Sequence, residues 1–85
     1  MRLPVIKHVV DFVEKNDEDW VVETIELLEY MSEAKGIKDE ELDVMGELLS
    51  NLYGALEVSK EIKDNNVTKK EALNGFMERV MGAIN

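Results

Sequence analysis

The chain has 85 residues, 45% of them hydrophobic, with 19 acidic against 10 basic residues and a net charge of −9. This length supports one domain, 1–85, and the charge balance opposes nucleic-acid phosphates and anionic membrane surfaces as partners. The lack of any cysteine excludes disulfide scaffolds, thiolate zinc sites, iron–sulfur clusters and cysteine nucleophiles.

Apolar residues recur at helical spacing almost throughout. Pro4 suits a first helical position, where its missing N–H has no partner to lose. Val5, Ile6, Val9, Val10, Phe12 and Val13 follow as a wide stripe, which predicts a helix over 4–15. Most of these residues are β-branched and weaken the intrinsic helix preference. A strand is the competing reading, but no second strand-like segment offers it a partner, so burial must hold the helix.

Asn16 or Asp17 can cap a second helix over 17–34, with Asp17, Glu18 and Asp19 favourable against its N-terminus. Trp20, Val21, Ile25, Leu28 and Met31 are expected along one side, and Gly36 as the residue past its end. Asp39 opens a third helix running to 63. Leu42, Met45, Leu49, Leu52, Leu56 and Ser59 form a heptad seam, widened by Leu48, Ala55 and Ile62. Thr68 and Glu71 make a capping box for a fourth helix over 69–83, with Val67 and Ala72 as its staple. That helix uses Leu73, Phe76, Met77, Val80, Met81 and Ile84.

A helix over 39–63 is about 38 Å long, whereas a compact 85-residue globule is about 31 Å across. Either the helix kinks at Gly54 or a second subunit covers its overhang. The unbroken seam favours the second, and with it a homodimer. Gly46, Gly54, Gly75 and Gly82 fall inside predicted helices, each at roughly 0.5–1 kcal/mol relative to alanine. Gly46, Ser50 and Gly54 make a strip of small side chains that predicts close helix packing there, or a groove for a ligand or partner helix.

Residues 17–35 carry a net −6 and residues 36–64 a net −5, so the second and third helices hold the acidic excess. Glu23, Glu26, Glu29 and Glu33 fall on the outward part of the second helix. Such a row is a solvated face or a surface for a basic partner protein. A carboxylate di-metal site needs E-x-x-H motifs, and the residue three before the single His8 is Val5. An EF-hand starting at Asp17 would need Gly and Glu where Val22 and Leu28 stand. Neither metal nor cofactor is expected. His8 lacks a nucleophile partner, no G-x-S-x-G elbow or phosphate loop occurs, and the chain is expected not to be an enzyme. Ser50 lies in Leu49-Ser50-Asn51, unlike the D-S-L motif of acyl carrier proteins, which leaves a carrier role the weakest alternative. Trp20, Tyr30 and Tyr53 are the candidate contact anchors.

LPVIKH (3–8), DEELDVMGELLSNLYGALEV (39–58) and KKEALNGFMERVMG (69–82) resemble a family of short all-helical bacterial proteins of unknown function, the second stretch most specifically. The resemblance implies an accessory role in thiol redox metabolism, with a protein of the thioredoxin or peroxiredoxin system as partner. Without cysteine this chain would bind or regulate such a machine rather than turn over.

The combined expectation is an all-α, four-helix bundle-like homodimer with a long third helix, located in the cytoplasm because no apolar run approaches the ~20 residues of a membrane span. It would act as a non-enzymatic interaction module through Glu23, Glu26, Glu33, Gly46, Ser50, Tyr53 and Gly54. The alternative is a small-molecule or cofactor binder with its pocket near Gly46, Ser50 and Gly54.

Overall fold

Pro4 lies in the first turn of α1 (Leu3–Lys15), one residue later than its chemistry suggests. The computed structural model describes residues 2–82 and four helices, with no strand among them. No side chain of Arg2 caps α1. Instead the Arg2 N–H donates to the Oδ1 of Asn51 at 2.7 Å, tying the start of α1 to the middle of a later helix. Ile6 and Val10 are fully buried, so tertiary burial outweighs the weak helix preference of the β-branched run. Val5 and Phe12, expected in the same stripe, remain exposed.

Asp17 caps α2 (Glu18–Met31), its Oδ1 accepting the Asp19 N–H at 3.0 Å. The helix stops three residues before the expected end. Ser32 donates its hydroxyl to the Leu28 carbonyl at 2.9 Å, and the Glu33 and Ala34 N–H groups bond to the carbonyls of Tyr30 and Met31. These tighter bonds end the α-helical ladder. Gly36, at φ 83°, turns the connector instead of closing the helix.

The third helix, α3 (Asp39–Asn65), has 27 residues and continues through Gly54 without a break, so the kink is not realised. At 1.5 Å per residue it is about 40 Å long, close to the 43 Å longest extent of the protein. Glu41 accepts the Lys38 N–H at its start, and Asn66, in the left-handed region at φ 53°, ends it. The capping box of α4 (Lys69–Met81) is formed: Thr68 Oγ1 accepts the Glu71 N–H at 3.1 Å, and Glu71 Oε1 accepts the Thr68 N–H at 2.9 Å. Residue 83, Ile84 and the Met81 side chain, all given to this helix by the sequence pattern, lie outside the described residues.

α1 and α4 pack on the C-terminal half of α3, where Ile6, Val10, Ala55, Val58, Ala72, Leu73 and Phe76 form the core. Val67 packs against that cluster beside the α4 start, as a staple should. α2 runs antiparallel along another side of α3: Glu18 pairs with Lys63 at 2.7 Å, and Ser32 meets the sulfur of Met45. The heptad seam therefore faces α2 and is half-buried along Met45, Leu49, Leu52 and Leu56. The tightest packing uses a neighbouring row through Asn51, Ala55 and Val58. The result is a slab 43 × 32 × 17 Å, with a radius of gyration of 13.9 Å against about 12 Å for a compact chain of this length.

Candidate functional site

The row on α2 is positioned by helical spacing. Val21 and Ile25 turn inward and are buried, which leaves Glu23, Glu26 and Glu29 pointing outward and exposed, with Glu33 exposed in the turn just past the end of the helix. Tyr30, 76% exposed, stands among them, four residues after Glu26 and three before Glu33. Glu29 accepts a hydrogen bond from the hydroxyl of Tyr53 on α3. That bond pushes the Tyr53 phenol above its ordinary pKa, with desolvation and the Glu29 charge acting in the same direction. Tyr53 thus fastens α2 to α3 and keeps half of its ring in solvent.

The ion pairs found among the described residues lie elsewhere. Lys63 binds Glu18, Lys69 binds Asp11 and Glu14, and Arg79 binds Glu57. None of them engages Glu23, Glu26 or Glu33.

The small-residue strip divides. At Gly54 an added Cβ would lie 3.0 Å from both Ile6 Cδ1 and Phe76 Cζ, so α1 and α4 close directly onto the α3 backbone. At Gly46 nothing lies within 4 Å, and Ser50 is half-buried between them. The predicted close approach therefore holds at one position of the strip. A ligand pocket spanning Gly46, Ser50 and Gly54 is not what the packing shows: the Gly54 end is filled, and the Gly46 end faces open space. Ser50, in mid-helix, is also far from a helix start where a carrier arm would attach.

The hollows lie elsewhere. One of about 570 Å³ sits at the α2–α3 connection among Tyr30, Met31, Glu33, Ile37 and Met45. Another of about 290 Å³ runs between α1 and α2, walled by His8, Phe12, Trp20 and Thr24 over a floor of Val21 and Leu52. His8 has no activated nucleophile here, since the Thr24 hydroxyl donates to the Trp20 carbonyl of its own helix at 2.6 Å. No group of three His, Asp or Glu side chains among the described residues is placed to hold a metal. Nor is any described helix long and apolar enough to cross a membrane.

Trp20 and Met31, expected along one side of α2 with Val21 and Ile25, are exposed where those two are buried; Trp20 is 61% exposed and the neighbouring Leu27 59%. The signal for this was a second row at 20, 24, 27 and 31, spaced 4, 3 and 4, about a third of a turn from the buried one.

The sequence profile of one family matches residues 1–85, the whole chain. The protein belongs to DUF6952, a family of unknown function. No curated protein and no solved structure matches it. The DUF6952 match spans the whole chain and supplies no activity. The thiol redox role that the resemblance implies gains no named relative.

Proposed function

We propose that this chain is a non-enzymatic binding module that engages a basic partner protein through the outer row of α2. The reading is supported by an electrostatic cost that the fold leaves standing. Within α2, Glu23, Glu26 and Glu29 follow one another three residues apart, where like charges destabilise a helix by about 0.2–0.5 kcal/mol per pair. Glu29 also sits in the last turn of α2, with Glu33 just beyond it, where the helix dipole disfavours negative charge, and that turn holds no basic residue. A cationic partner surface would relieve both effects and draw on the same field to speed encounter. Tyr30, the most exposed large side chain on this face, supplies the aromatic anchor that a contact of this kind centres on.

The test couples stability to binding. Glu26→Gln with Glu33→Gln should raise the melting temperature by a few degrees, because about 0.5–1 kcal/mol of repulsion is removed from a small domain. The same change should weaken binding of a Lys/Arg-rich peptide about tenfold, read by calorimetry, with wild-type affinity falling steeply as salt rises. Equal peptide affinity in the two proteins, or no binding by either, would refute the reading.

A further inference from the structure

Val44, Leu48, Asn51, Ala55, Val58 and Ile62 form a continuous stripe on α3, spaced 4, 3, 4, 3 and 4. From Asn51 onward this stripe is covered by α1 and α4: Asn51, Ala55 and Val58 are buried, and Ile62 packs on the core. Leu48 and Val44, on the same side about one and two turns before Asn51, are exposed. The core row thus runs out from beneath its cover while its residues stay apolar. Alongside lies the second row of α2, with Trp20, Leu27 and Met31 exposed, and beyond it Phe12 of α1.

We propose that this face, from Phe12 across Trp20, Leu27 and Met31 to Leu48 and Val44, seats a second copy of the chain about a two-fold axis. Three features select a second copy as the occupant. The first is shape. A two-fold interface must be self-complementary, and this face carries a groove between α1 and α2, of about 290 Å³, together with the exposed apolar side chains of Leu27, Leu48 and Val44. A two-fold axis between the two places these side chains against the groove of the other copy.

The second is area. The protein exposes 6110 Å², whereas a compact monomer of 9.7 kDa exposes about 5,100 Å². The excess of about 1,000 Å² belongs to the slab shape of the whole protein, and one standard interface, covering roughly 800 Å² per partner, would remove most of it. The third is charge. No carboxylate lines the groove, and its one ionisable side chain is His8. Two chains of net −9 approach with least repulsion at such a groove; at the far end of the face Glu40, Glu41 and Glu47, all exposed, flank Val44. The acidic row lies on another side of α2 and stays free in the dimer.

The experiment is sedimentation of the full chain from low to high micromolar concentration, with the emission and iodide quenching of Trp20, the single tryptophan, followed in parallel. The mass should rise to twice that of the chain as Trp20 emission moves to shorter wavelength and quenching falls. Leu27→Glu and Leu48→Glu should each weaken the dimer by about tenfold or more with helical circular dichroism unchanged. Leu27 is so exposed that its change leaves the core alone, which keeps the test valid should Leu48→Glu misfold. Glu26→Gln, in the acidic row, should leave the dimer intact, so failure of the partner reading and of this one are separable. A single-chain mass at every concentration overturns the proposal. So does a dimer indifferent to both leucine changes, or a monomer that covers this face with a different protein.

Discussion

Gly46 and Gly54 stand eight residues apart on α3, and a methyl group added at each meets opposite surroundings. At Gly46 it enters open space, so Gly46→Ala should stabilise the protein by about 0.5–1 kcal/mol through lower unfolded-state entropy and better helix preference. At Gly54 it meets Ile6 and Phe76 at 3.0 Å, and both side chains are almost wholly buried with no room to retreat. The overpacking cost of about 1–3 kcal/mol outweighs the helix gain there, so Gly54→Ala should destabilise. Urea titration of the two variants reads the opposite signs, and a gain at both positions would show that α1 and α4 do not close on Gly54. Spacing alone places both glycines on one strip; only the positions of α1 and α4 separate them. Asn51 shows the same limit. As a polar residue amid an apolar row it gives no hint in the sequence that it accepts the N–H of Arg2, 49 positions away.

At the scale of the elements, helix starts were more legible than helix ends or faces. The Asp17 cap and the Thr68–Glu71 box are local chemistry, and both form as the sequence pattern predicts. The end of α2 depends on the Ser32 hydroxyl reaching the Leu28 carbonyl, and the exposure of Trp20 depends on which of two rows meets α3. Neither is a local property. The attachment of α4 to α1 also lies between elements: Lys69 at the α4 start binds Asp11 and Glu14 of α1, the latter at 2.9 Å.

The hydrogen bond from Lys69 holds the Asp11 carboxyl below its ordinary range, and the bonds to Asp11 and Glu14 raise the Lys69 ammonium above its own. A depressed carboxylate stabilises the fold above its unfolded pKa and loses that contribution as pH falls through the folded value. A raised ammonium stabilises below its unfolded pKa and loses the contribution as pH rises through the folded value. The clasp is therefore complete at neutral pH and fails towards both extremes. Lys69→Met should flatten both limbs of the melting temperature against pH, the acid limb through Asp11 and the alkaline limb through the lost ammonium. Unchanged limbs would mean that these partly exposed charges are screened by solvent.

For the whole molecule, the decisive feature is that burial is concentrated at one end. The core cluster joins α1, α4 and the second half of α3, while α2 beyond Ile25 and α3 before Asn51 contain no buried side chain. The sequence showed that α3 outruns a compact globule, and the structure adds where the surplus lies: in the end of the α2–α3 hairpin. Local opening free energy follows local burial, so amide exchange in the single chain should be graded. Amides of Leu28–Met31 and Leu42–Leu49 should exchange fastest among helical positions, and those of Ala55–Ile62 should approach the global limit. If a second copy covers Leu27, Leu48 and Val44, protection at the hairpin end should rise with protein concentration, because a bound partner stabilises the closed state by mass action, while protection over Ala55–Ile62 changes little. Leu27→Glu should remove the concentration dependence and keep the gradient. A hairpin as protected as the core at high dilution would contradict the uneven burial; a gradient untouched by concentration would retain the uneven burial and remove the second copy from this face.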